Sequence, residues 1–110
     1  MDVPEIDIAE ANRRRGAGAP VFDVREPDEY VEGHVPGAPL VPLGTVADRV
    51  GEFPTSGEVL IICKSGGRSR KAAEVLRAQG IDAVNVAGGT MAWIDAGLPV
   101  ATGPEAGSAA

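Results

Sequence analysis

The sequence predicts an α/β domain with a central, mainly parallel sheet and helices on both faces. Three observations lead there. The best strand candidates, such as 59–62 (Val-Leu-Ile-Ile), are apolar along their length rather than alternating, as strands covered on both faces are. Strand candidates alternate with segments of helical periodicity. A chain of 110 residues, 44% of them apolar, suits one compact domain, expected over residues 1–100.

The elements follow in order. Glu5-Ile6-Asp7 opens as a short strand, and Asp7 caps a helix that runs through Ile8 and Ala11 to about Arg15. Arg13, Arg14 and Arg15 then sit at the helix C-terminus, where cations complement the dipole. Residues 16–20 form a turn. They are no dinucleotide fingerprint, because they precede a strand and lack the third glycine. Residues 21–25 read as a strand, and Pro27 suits the first turn of a short helix ending near Glu32. A turn at 33–38 leads to a very short strand at Leu40-Val41, then a weak helix over 43–50 that Pro54 and Gly57 break.

The strand at 59–62 runs into the cysteine loop. Residues 69–79 then form a helix with Ala72, Ala73, Val75 and Leu76 on one broad face, stopped by Gly80. Residues 83–86 make a further strand. After Gly88-Gly89, Thr90 is expected to cap a helix carrying Met91, Trp93 and Ile94, which Gly97 and Pro99 end. Residues 101–110, small and polar, are expected to be a disordered tail.

Composition removes several function classes. The net charge of −6 disfavours nucleic-acid binding. No apolar stretch reaches the length of a membrane span, and the start Met1-Asp2-Val3-Pro4-Glu5 lacks the basic and apolar regions of a signal peptide. The cytoplasm is the expected location, and a monomer the expected state. One cysteine excludes an internal disulfide and an all-cysteine metal site, and with one histidine no structural zinc is expected.

The most informative segment is Cys63-Lys64-Ser65-Gly66-Gly67-Arg68-Ser69. It places the one thiol at the carboxyl end of a strand, on a loop that opens a helix, where open α/β sheets bind ligands. A helix N-terminus attracts anions and favours thiolate over thiol. Lys64 and Arg68 add positive charge. The pattern suits a nucleophilic cysteine acting on a small anion, rather than the inert buried cysteine common at strand ends.

Four motifs in order carry a resemblance. Asp23-Val24-Arg25-Glu26-Pro27-Asp28-Glu29-Tyr30, Gly33-His34-Val35-Pro36-Gly37-Ala38, the Cys63 to Ser69 loop, and Gly88-Gly89 with Trp93 and Gly97-Leu98-Pro99-Val100 resemble the single-domain rhodaneses. The resemblance spans about Glu5 to Val100. It implies a rhodanese-like fold with about five strands in its parallel sheet, Cys63 as the sulfur-carrying nucleophile, and Lys64, Ser65, Gly66, Gly67, Arg68 and Ser69 as the active-site loop. It implies no cofactor and no metal.

The chemistry expected is sulfur transfer in two steps through a Cys63 persulfide. The donor is a small anion such as thiosulfate or another persulfide, and the acceptor is cyanide or a thiol. Backbone N–H groups of the loop would stabilise the anionic sulfur, the glycines would permit their approach, and the Ser65 and Ser69 hydroxyls could donate to it. Lys64 and Arg68 would lower the thiol pKa and draw in the donor. With no second cysteine, the acceptor must be external. Related phosphatases and arsenate reductases carry one residue more between cysteine and arginine, a wider ring suited to a tetrahedral oxyanion, so the shorter loop favours sulfur.

Asp23, Arg25 and Glu29 are expected to hold the loop or to pair with one another or with Arg68, not to act on substrate. His34 is expected to fix its turn, Trp93 to be core or pocket wall, and Gly88-Gly89 to form a turn, since no P-loop lysine follows. Besides a catalytic sulfurtransferase, two functions fit: a sulfur carrier that hands its persulfide to another protein, and a binding module without catalysis. The intact Cys63, Lys64 and Arg68 count against the last.

Overall fold

Continuous apolar strands need cover on both sides, and the chain supplies it by alternating strands with helices. A computed structural model describes residues 2–107. In chain order the elements are β1 (Glu5–Ile6), α1 (Ile8–Gly16), β2 (Val21–Asp23), α2 (Pro27–Glu32), two short 3-10 helices (Leu43–Thr45 and Ala47–Glu52), β3 (Glu58–Ile62), α3 (Gly67–Ala78), β4 (Asp82–Val86) and α4 (Gly89–Asp95). The strands lie in the order β1-β4-β3-β2 and every pair is parallel.

Among the described residues the sheet has four strands, not about five. The expected strand at Leu40-Val41 survives as a single parallel bridge from Leu40 to Asp23. Pro39 and Pro42 flank it, and proline supplies no N–H to extend a ladder. The segment still lies along β2, with Asp23 N donating to Pro39 O and Val41 N to Asp23 O, both at 2.9 Å.

Two apolar layers result. Val59, Ile61 and Ala83 face Ala72, Ala73 and Leu76 of α3, with Phe22 and Phe53 closing that core. Leu60, Ile62, Val84 and Val86 face the opposite layer, around Ala11 of α1 and Trp93 of α4. Asp7 caps α1 as expected, its carboxylate accepting from Glu10 N at 2.9 Å. The three arginines have structural partners: Arg13 and Arg14 pair with Glu10, Arg14 also with Glu58, and Arg15 donates to Pro36 O.

Two further boundaries differ from expectation. The weak helix over 43–50 is two 3-10 helices, the second kinked at a non-helical Arg49. β2 stops at Asp23, where the carboxylate accepts Arg25 N at 2.9 Å and turns the chain. Residues 101–107 make backbone contacts with the domain: Ala101 pairs with His34 through two backbone bonds, and Gly37 N donates to Ala106 O at 2.7 Å. The expected disorder of residues 108–110 falls outside the described residues. Among the described residues no helix is long and apolar enough to cross a membrane.

Candidate active site

Alternation along a strand decides what meets at the end of β3. Val59 and Ile61 point toward α3, and Cys63, next in that series, stays in the same layer. The chain then turns through Gly66, which adopts a left-handed φ of 116° that glycine accepts without strain. That turn starts α3 at Gly67, two residues before the expected start, and folds the loop back over the thiol.

Cys63 lies at the floor of this loop, 1% exposed. Its Sγ accepts hydrogen bonds from Gly66 N at 3.1 Å and Ser69 Oγ at 3.2 Å. Burial pushes the thiol up, but the Ser69 hydroxyl and the N–H groups of Ser69, Gly66 and Ser65 together outweigh it and hold the thiol below its ordinary value. Hydrogen-bond donors lead this activation, and the Arg68 charge is coupled to the same thiol. Ser65 contributes its backbone N–H.

The far side of the loop is held by α4. Thr90 donates twice to Cys63 O, from N at 2.8 Å and from Oγ1 at 2.9 Å, and Met91 N donates to Lys64 O at 3.1 Å. Thr90 is therefore not the helix cap: Gly88 takes that position. Gly89 allows the approach. A Cβ there would lie 2.5 Å from Lys64 O and 2.6 Å from Cys63 O.

The charged residues divide into two buried or half-buried pairs. Arg68 binds Glu29 through both arms, at 2.6 and 2.8 Å. Its guanidinium pulls the Glu29 carboxyl down to about 2, and that carboxylate raises Arg68 above its ordinary value. Arg68 thus ties α3 to α2. Asp23 and Arg25 pair with each other at 2.8 Å, both buried, and Arg25 also donates to Gly33 O at 2.7 Å. Lys64 is exposed at the mouth. A cavity of about 290 Å³ opens beside it, lined among others by Arg25, Glu32, Gly33, Met91 and Ile94.

His34 is fully buried, stacked on Tyr30 with ring centroids 3.7 Å apart. Its Nδ1 lies 2.8 Å from Tyr30 O and its Nε2 2.9 Å from Glu105 O. It joins α2 to residues 105 and 106. Tyr30 Oη donates to Ala38 O, and burial lifts its phenol to about 12. Among the described residues no group of three His, Cys, Asp or Glu side chains is placed to hold a metal.

The model of the Rhodanese-like domain family matches residues 7–96. The chain belongs to the rhodanese-like domain family. A sulfurtransferase of Allochromatium vinosum is 37% identical over 101 residues, covering 89% of this chain and 94% of that protein. YrkF of Bacillus subtilis, provisionally named a sulfur carrier protein, is 43% identical over 74 residues, 66% of this chain. The rhodanese-like chain spans 40% of YrkF's length. Among solved structures, a rhodanese-related protein of Thermoplasma volcanium superposes with a TM-score of 0.83 at 29% identity, covering 93% of this chain and 99% of that one.

Sequence reasoning missed the residues that support this rhodanese-like loop from behind. Asn85 is 0% exposed on β4 and bonds both Ser69 and Gly66. A buried asparagine in an otherwise apolar strand was the available signal, since buried polar groups require partners. Thr90 and Gly89 carried no such signal, because both suit an ordinary helix start.

Proposed function

We propose that this rhodanese-like domain is a sulfurtransferase that carries sulfane sulfur on Cys63. The observation that carries the reading is the Sγ at the start of α3, receiving the Gly66 N–H and the Ser69 hydroxyl and held below the ordinary thiol pKa. A thiolate is the nucleophile that sulfur transfer requires.

With thiosulfate as donor, the Cys63 thiolate attacks the outer sulfur. A new S–S bond forms, the old one breaks, and sulfite leaves with the bonding electrons. The persulfide keeps one negative charge on its outer sulfur, and the N–H groups already beside Sγ, those of Ser65, Gly66 and Ser69, are the donors at hand to stabilise it. Cyanide or an external thiolate then attacks that outer sulfur, and Cys63 departs as thiolate. Near-complete burial of Cys63 favours a slender donor that reaches sulfur end-on, and exposed Lys64 attracts an anionic one. The adjoining cavity, with apolar Met91 and Ile94 on its wall, admits a small acceptor. We place the protein in the cytoplasm as a monomer, where a lone thiol stays reduced.

A second reading is favoured by the similarity to YrkF: the persulfide passes to a partner protein and thiosulfate turns over poorly. Intact mass spectrometry after thiosulfate treatment tests the shared step. One added sulfur on the wild type, absent from Cys63→Ser and removed by cyanide, is expected. An adduct that persists in Cys63→Ser would refute the assignment. Saturable ping-pong kinetics with thiosulfate and cyanide would separate enzyme from carrier.

A further inference from the structure

Behind the cysteine loop lies a buried carboxamide with a task of its own. On β4, Ala83 faces α3, so alternation sends Asn85 to the same side. There its Oδ1 accepts from Ser69 Oγ at 2.5 Å, and its Nδ2 donates to Gly66 O at 3.1 Å and to Glu5 Oε2 at 2.8 Å. The reverse amide orientation would set its oxygen against a carbonyl and a carboxylate, so chemistry assigns the two ends.

Ser69 has one hydroxyl proton and two acceptors. Cys63 Sγ lies 3.2 Å from its oxygen and Asn85 Oδ1 lies 2.5 Å away. One proton cannot serve both. When it turns to sulfur, two oxygen lone pairs face each other across the Ser69–Asn85 contact. When it turns to Asn85, the thiolate loses a donor.

We propose that Asn85 is a positioning residue of the cysteine loop: its carboxamide oxygen competes with Cys63 Sγ for the Ser69 proton, while its amide nitrogen pins the Gly66 carbonyl and so aims the Gly66 N–H at sulfur. Asn85 therefore tunes the nucleophile without touching it. Its consequence for catalysis rests on the sulfur-transfer reading. When Sγ bonds a second sulfur, the charge moves to that outer atom and the Ser69 proton returns to Asn85.

The test needs no sulfur donor, so its failure is distinct from a failure of that reading. The rate of iodoacetamide alkylation of Cys63 is measured against pH for wild type, Asn85→Ala, Ser69→Ala and the double variant. Loss of the Gly66 pin affects both Ser69 backgrounds alike and cancels in the comparison. With Ser69 present, Asn85→Ala is expected to shift the midpoint downward by about one pH unit relative to its shift in the Ser69→Ala background, the scale of one hydrogen bond. Equal shifts in the two backgrounds would overturn the proposal. If Asn85→Ala fails to fold by circular dichroism, Asn85→Asp replaces it. A stronger acceptor must then raise the midpoint more with Ser69 present, and an equal rise overturns the proposal.

Discussion

Gly89→Ala tests whether α4 holds the cysteine loop by close backbone approach. An added Cβ would stand 2.5 Å from Lys64 O and 2.6 Å from both Cys63 O and Lys64 C, all of them main-chain atoms that no rotamer change can move aside. The φ of 59° adds the left-handed penalty for alanine, about 1 kcal/mol. Relief of the clash requires α4 to withdraw by about 0.5 Å or more. Three hydrogen bonds cross that gap, Thr90 N and Oγ1 to Cys63 O and Met91 N to Lys64 O, at 2.8 to 3.1 Å. At about 1 kcal/mol each, their weakening brings the total to about 3 to 4 kcal/mol. Urea unfolding should show that loss, and the melting temperature should fall by more than about 10 °C. Gly16→Ala is the control: a Cβ there meets nothing within 4 Å, so stability should hold or rise slightly. A Gly89→Ala protein within about 1 kcal/mol of wild type would refute the close-approach argument.

Two further outcomes follow from the charged pair and the tail. Glu29 is depressed to about 2 by Arg68, so the pair's stabilisation, about 1 kcal/mol for a bidentate contact at the surface, is present above the ordinary carboxyl value of 4.5 and is lost as pH falls from there through about 2. Glu29→Gln should flatten that acid limb of the stability curve, and an unchanged limb would show that the pair contributes nothing. Truncation after Thr102 removes the Glu105 and Ala106 carbonyls that face buried His34 Nε2. It should destabilise the domain by about 1 to 3 kcal/mol, measured by urea unfolding, and a truncated chain as stable as wild type would make the tail contact incidental.

Much of the architecture was legible because it rests on local chemistry. Asp7 as a cap, Pro27 in the first turn of α2, the continuous apolar run of β3 and the helical stripe of α3 each express a preference satisfied within a few residues. The Cys63 loop was legible for the same reason: thiol, glycines and helix start are contiguous. The fifth strand was misjudged because Leu40-Val41 has strand character of its own, while the prolines around it decide how far a ladder runs. The contacts of residues 101–107 were not legible, because their partners, His34 and Gly37, lie far away in sequence.

The sequence by itself determined the parallel α/β scheme, the place of the thiol at a strand end, and the family motifs that point to sulfur. Tertiary structure decided which groups surround that thiol. It gave Arg68 to Glu29 and Arg25 to Asp23, brought Thr90 and Gly89 against the loop, and put Asn85 behind Ser69. The reason is physical. A motif lists neighbours along the chain, whereas hydrogen bonds and ion pairs form between groups that strand register and helix packing bring together, and Ser69 and Asn85 meet only because β4 lies beside β3 under the first turn of α3.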